Sequence, residues 1–142
     1  HPEAAFLDPD TGSWESWEAS MLRDDVAQMF GFPFAHDSGI DRISWLSNLV
    51  TNWMGDAGWL RHLDMQIRRF VYIGDTVKAK GNVVGKEIRN GEAIVELDVW
   101  VEDQRGRNTA PGHAEVMLPS RELGPVQLPP KFEGPPPGWY GK

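Results

Sequence analysis

The sequence predicts an α+β domain in which an antiparallel sheet folds around one long helix. Three observations carry that reading. Ile40, Ile43, Leu46, Val50 and Trp53 recur at helical spacing in the longest periodic run of the chain. From Leu63 onward the apolar period drops from about 3.6 residues to about 2, the signature of strands with one face inward. Asn90-Gly91 then supplies a strong hairpin signal, because a tight primed turn needs positive φ at both central residues.

The chain has 142 residues, 40% of them hydrophobic, and a formal net charge of -7. That length suits a single soluble domain whose core needs no covalent staple. There is no cysteine, which excludes disulfides, thiolate metal sites and cysteine nucleophiles and suits a reducing cytoplasm. The four histidines lack metal-site spacing, so no metal is expected. An acidic chain without a basic cluster argues against nucleic acid or a charged membrane surface as partner. No run approaches the roughly 20 apolar residues of a membrane span. The chain opens HPEAAFLDPDTG, without an initiator Met or a signal-peptide pattern, and His1 fits either an added residue or a trimmed chain.

Residues 1–19 read as an irregular segment, with Asp8-Pro9-Asp10 and Thr11-Gly12 as breakers and Trp14 and Trp17 among Glu15 and Glu18. The domain proper is expected over 20–121. Ser20–Phe30 reads as a short helix, N-capped by Ser20, stopped by Gly31, with Leu22, Val26 and Met29 on one face. The long helix follows the loop GFPFAHDSG. Asp37 or Ser38 caps it, Asp41 suits its dipole, and Gly55 ends it. Trp45, Leu49 and Met54 widen its apolar stripe so far that nearly the whole helix is expected to be buried.

Leu63, Met65, Ile67, Val71 and Ile73 next read as one long strand, interrupted at matching parity by Arg69 and ended by Gly74-Asp75. TVKAKGNVVGKEI is the following strand. On the one after, Ala93, Val95, Leu97, Val99 and Val101 face inward and Glu92, Glu96, Asp98 and Glu102 outward. Ala110, Gly112, Ala114, Val116 and Leu118 share a face on the last strand, and their small size lets the helix approach the sheet. Residues 122–142 form a Pro-rich tail that cannot enter a ladder. It reads as a strap over the domain or a neighbouring subunit, with Phe132, Trp139 and Tyr140 as apolar anchors, or as a proline-rich ligand for a partner module.

Ala27-x-x-x-Gly31-Phe32, then Gly39, a helix ending TNWMGDAG, then Arg69 and Gly74-Asp75-Thr76 occur in this order. Taken together they resemble the MaoC-like acyl dehydratases, the (R)-specific enoyl-CoA hydratase branch of hotdog-fold proteins. The resemblance runs from about Leu22 to Arg121. It implies a thioester substrate on coenzyme A or a carrier protein, with water added across or lost from the α,β double bond. No cofactor is implied beyond the coenzyme A of the substrate. The family's site has an Asp and a His five residues apart before the short helix, and a backbone N–H at the start of the central helix for the thioester oxygen. Counting back from Ala27, the His position falls on Met21 and the Asp position on Ser16, and Ser38 stands where the loop usually carries a His. No Asp-x-Asn-Pro-x-His string occurs in the chain.

The candidate site residues are therefore His36, Asp37, Gly39, Arg42 and Arg69. Gly39 takes the oxyanion role by resemblance, or is a glycine that loop geometry needs. Asp37 is either a base paired with His36 or a helix cap. Arg42 and Arg69 call for an acceptor, either a carboxylate such as Asp37 or Asp41, or a phosphate or pantetheine carbonyl of coenzyme A. His62 and His113 fall on outward or loop positions. The seven tryptophans serve the core and a dimer interface, or line an acyl pocket.

Three functions stay open on the sequence. The first is an acyl-thioester hydratase/dehydratase, alone or as one half of a two-subunit enzyme. The others are a non-catalytic acyl-CoA-binding or structural subunit, and a hotdog thioesterase, for which only Asp41, Asn48 and Asn52 offer polar groups on the helix. A homodimer or a heterodimer with a second hotdog subunit is expected, with Trp100 as an outward aromatic anchor.

Overall fold

The helical period of residues 39–54 becomes the one long helix among the described residues, and the sheet is laid against it. The computed structural model describes residues 5–130; the expected anchors Phe132, Trp139 and Tyr140 lie outside them. In chain order the elements are β1 (Ala5–Leu7), β2 (Trp14–Ser16), a 3-10 turn (Trp17–Met21), α1 (Asp24–Met29), α2 (Gly39–Met54), β3 (Trp59–Met65), β4 (Val77–Arg89), β5 (Glu92–Asp103) and β6 (Asn108–Met117). β1 and β2 form a small hairpin, and the main sheet runs β3-β6-β5-β4 with every pair antiparallel.

The core lies between α2 and the inner face of that sheet. Leu46 and Val50 on the helix meet Val95, Leu97, Val99 and Val101 of β5 and Ala110, Ala114 and Val116 of β6. Fully burying one such Val or Leu side chain contributes about 1.5–3 kcal/mol. The expected alternation of β5 holds from Val95 to Val101, but at its start Ile94 and Glu92, both of outward parity, are buried, Glu92 bonded to Arg61 at 2.5 Å. Ala110 and Ala114 belong to the core that Leu46 and Val50 of the helix share. Gly112 serves another neighbour, because a Cβ there would overlap the Asp64 carbonyl oxygen of β3. Asn90 and Gly91 both take positive φ, at 55° and 77°, and close the β4–β5 hairpin as expected.

Four expectations are corrected. Ser20–Phe30 is not one helix: Ser20 is buried inside the 3-10 turn, and α1 starts after Arg23. Val26 is buried, but Leu22 and Met29 of the supposed face are exposed. The strand after α2 stops at Met65, since the next N–H groups bond irregularly: Gln66 to the Pro111 carbonyl at 2.8 Å, and Arg68 and Arg69 both to Thr109's at 2.9 and 3.2 Å. Finally, α2 is far from wholly covered. Arg42, Leu46 and Val50 are its buried residues, while Ile40 is 73% exposed and Trp53 also faces outward. A four-stranded sheet covers one side of a helix; the rest of the apolar stripe is left for something else.

Candidate functional site

The site is assembled where the loop before α2 meets the segment after β3. Residues 35–37 and 71–73 pair antiparallel: Asp37 N–H donates to the Val71 carbonyl at 2.9 Å, Ile73 N–H to the Ala35 carbonyl at 2.8 Å, and His36 lies opposite Tyr72. This short ladder fixes the backbone of the predicted site residues.

Ser38, not Asp37, is the N-cap of α2. Its hydroxyl accepts from Ile40 N–H at 3.4 Å, and Asp41 reciprocates by accepting from Ser38 N–H at 3.0 Å. Asp37 instead binds Arg42 through both carboxylate oxygens at 2.5 Å, with Val71 N–H a third donor at 3.3 Å. Arg42 is 1% exposed and also donates to the carbonyls of Arg69 and Thr109. Of its two expected anions the carboxylate is the one present, and a guanidinium so enclosed does not reach a phosphate in solvent. Arg69 gives this cluster only its carbonyl, and its side chain is exposed.

The expected carboxylate–imidazole pair does not form. His36 Nδ1 lies 2.9 Å from the backbone carbonyl of Asp37, while the Asp37 carboxylate is turned to Arg42. A carbonyl only accepts, so Nδ1 carries the proton in the neutral ring and Nε2 is left as an acceptor. His36 is 3% exposed, and its Nε2 is buried without a hydrogen-bond partner among the described residues. The ring sits edge-on between Phe32 and Phe70, with centroids 4.6 and 4.9 Å away.

His36, Asp37, Gly39 and Arg42 all line one cavity of about 470 Å³. Its other walls are Trp17, Met21, Phe30, Phe32, Ile67 and Phe70, so the enclosed surface is almost wholly apolar. Gly39 opens α2, where the first N–H groups have no acceptor in their own helix and the dipole favours negative charge. An apolar cavity lined by the first residue of that helix and by a histidine with an unpartnered ring nitrogen suits a ligand with an apolar body and a carbonyl oxygen. Four of the five predicted residues are thus brought together. Trp17 is the one wall that the expected aromatic acyl pocket included; the phenylalanine walls were missed, although Phe30 and Phe32 stand two residues apart just before His36.

His62 and His113 lie on β3 and β6 rather than in loops, beside Asp64 at 2.9 Å and Asp98 at 3.5 Å. No group of three potential metal ligands occurs among the described residues, and no helix there is long and apolar enough to cross a membrane.

No protein-family model and no curated protein matches the sequence. Solved structures do match in shape. The (R)-hydratase from A. caviae involved in PHA biosynthesis superposes with a TM-score of 0.63 at 24% identity, over 71% of this chain and 76% of its own. R-hydratase PhaJ1 from Pseudomonas aeruginosa gives 0.65 at 22%, over 82% and 75%. The ChsH1-ChsH2 complex from Mycobacterium tuberculosis gives 0.61 at 17%, over 70% and 75%. At such identities the likeness speaks for architecture alone, and the architecture is shown: this chain has the hotdog fold that these structures share.

Proposed function

We propose that this protein binds an enoyl or 3-hydroxyacyl thioester of coenzyme A and acts as a hydratase/dehydratase, working within a pair of hotdog subunits. The observation that carries the reading is the cavity: apolar walls, the Gly39 N–H end of α2, and His36 Nε2 without a partner. In hydration, His36 Nε2 takes a proton from water as the oxygen bonds to the β-carbon. The resulting enolate oxygen rests on Gly39 N–H, and the imidazolium returns a proton to the α-carbon. Asp37 and Arg42 are positioning residues that hold the loop rigid. Arg69, exposed on the segment carrying Ile67 and Phe70, is available to the phosphates of coenzyme A.

A second reading has its own observation. Met21, which takes the His position of the MaoC-like pattern, lines the cavity and transfers no proton. In that case the chain supplies acyl-binding surface while a second hotdog subunit supplies the acid and base. The sheet has room for a partner, since neither the outer edge of β3 nor that of β4 pairs with another strand among the described residues. The ChsH1-ChsH2 structure, itself a complex, supports a partner of the same fold.

Incubation of the pure protein with crotonyl-CoA and 2-octenoyl-CoA tests the reading. Loss of the enoyl absorbance without thiol release is expected for the first form, and binding without turnover for the second. Release of free coenzyme A marks a thioesterase, and absence of binding removes the acyl-CoA reading altogether.

A further inference from the structure

We infer that Ile67 restricts this site to acyl groups that are unbranched beside the thioester, an inference that rests on the acyl-CoA reading above. Ile67 is an apolar side chain left 54% exposed, so it does not serve the main core. Its backbone is nevertheless held on both sides by β6, through Gln66 N–H to the Pro111 carbonyl at 2.8 Å and Arg68 N–H to the Thr109 carbonyl at 2.9 Å. The Cα–Cβ bond of Ile67 is thereby held in one direction. Its Cδ1 occupies the space over the first residue of α2, so that a Cβ on residue 39 would overlap it.

Ile67 also lines the cavity with His36 and Gly39. A thioester oxygen received at Gly39 brings the carbonyl carbon and the next one or two carbons into van der Waals reach of that methyl group. A branch at the α-carbon competes for the same volume. Branching at its own Cβ restricts χ1, so that rotation about χ2 is the main way for Cδ1 to give. Farther along, Trp17, Phe30, Phe32 and Phe70 leave apolar room for the remainder of the chain. The substrate class is therefore a thioester of a linear acyl chain, apolar throughout and unsubstituted at its α-carbon.

The test compares 2-octenoyl-CoA with 2-methyl-2-octenoyl-CoA by titration calorimetry on the full chain. The wild type is expected to prefer the linear thioester by about tenfold or more, the usual effect of one carbon in a fitted apolar site. Ile67→Ala is expected to bring the affinity ratio close to one. Ile67→Val, which keeps the branched Cβ and loses only Cδ1, is expected to fall between and serves if the alanine variant does not fold. Equal binding of both thioesters by the wild type, or an unchanged ratio in the variants, overturns the inference and leaves the acyl-CoA reading standing. Failure of the wild type to bind either thioester overturns both.

Discussion

Arg42 shows how a charged residue becomes part of a core. It stands four residues before Leu46 and eight before Val50, on the same buried stripe, so its burial was legible in the spacing although its charge argued otherwise. What makes burial tolerable is a complete set of acceptors: both oxygens of Asp37 and the carbonyls of Arg69 and Thr109. Removing one partner strands the other charge. Arg42→Met is expected to cost about 3–5 kcal/mol in urea unfolding, and Arg42→Met with Asp37→Asn less than the two single losses added. A single loss below about 1 kcal/mol contradicts this account of the pair. His36 was legible as a candidate, but its partner was not, because adjacent side chains point apart and the ring found a main-chain carbonyl instead. His36→Phe retains the packing with Phe32 and Phe70 and removes Nε2. The variant is expected to keep acyl-CoA affinity within about threefold and to lose hydration by about 100-fold or more, the usual contribution of a positioned base. Unchanged turnover removes His36 from the chemistry.

At the scale of elements, the signals that survived are those with a strong local cause. The period of α2, the Asn90-Gly91 turn and the alternation of β5 all reappear in the structure. The misreading of residues 66–73 had a tertiary cause. Their parity continues that of β3, but residues 71–73 exchange β6 for the loop at 35–37, and no local pattern announces a change of partner. Close strand approach gives a sharper test. Gly112→Ala places a methyl group against the Asp64 carbonyl oxygen, which is backbone and has no rotamer to escape into. A loss of about 1–3 kcal/mol in unfolding free energy is expected, and a neutral result refutes that crowding. The turns carry a pH dependence. Arg23 and the backbone N–H of Asp10 hold the Asp8 carboxyl below the usual value of 3.8. Burial opposes ionisation of Asp103, yet N–H groups of Arg107 and Arg105 and the Arg107 guanidinium outweigh it and lower its pKa too. Both groups bind their proton more readily unfolded. Their stabilisation is complete above about pH 4 and is lost as pH falls through the depressed folded values. Asp103→Asn is expected to flatten the acid limb of a thermal-melting profile without moving its neutral plateau upward; an unaltered limb contradicts the assignment.

For the whole molecule, the exposed residues of α2 and the two sheet edges that pair with no other strand among the described residues both leave surface for a partner. Trp53 of α2 and Ile88 of β4 line one surface pocket with Val83, and both, like Ile40 and Val84, are exposed among the described residues; a contiguous exposed apolar patch marks an interaction surface. Sequence periodicity showed that α2 is apolar most of the way round, and it could not show that the sheet of one chain covers only part of it. Pairing with a second hotdog subunit is the expected remedy. Sedimentation of the pure protein at micromolar concentration is expected to give about twice the mass of 16.0 kDa, or that mass only after a different hotdog chain is added; a persistent monomer with no such partner contradicts pairing. The central claim is narrower: an acyl thioester places its carbonyl oxygen on the first N–H of α2. Amide resonances of the 15N-glycine-labelled protein, followed during titration with 2-octenoyl-CoA, test it directly. Gly39 is predicted to shift downfield as it gains an acceptor, with Gly91 and Gly124, which line a different pocket at the β4–β5 hairpin, unmoved. Saturable binding that leaves the Gly39 resonance in place would contradict the account.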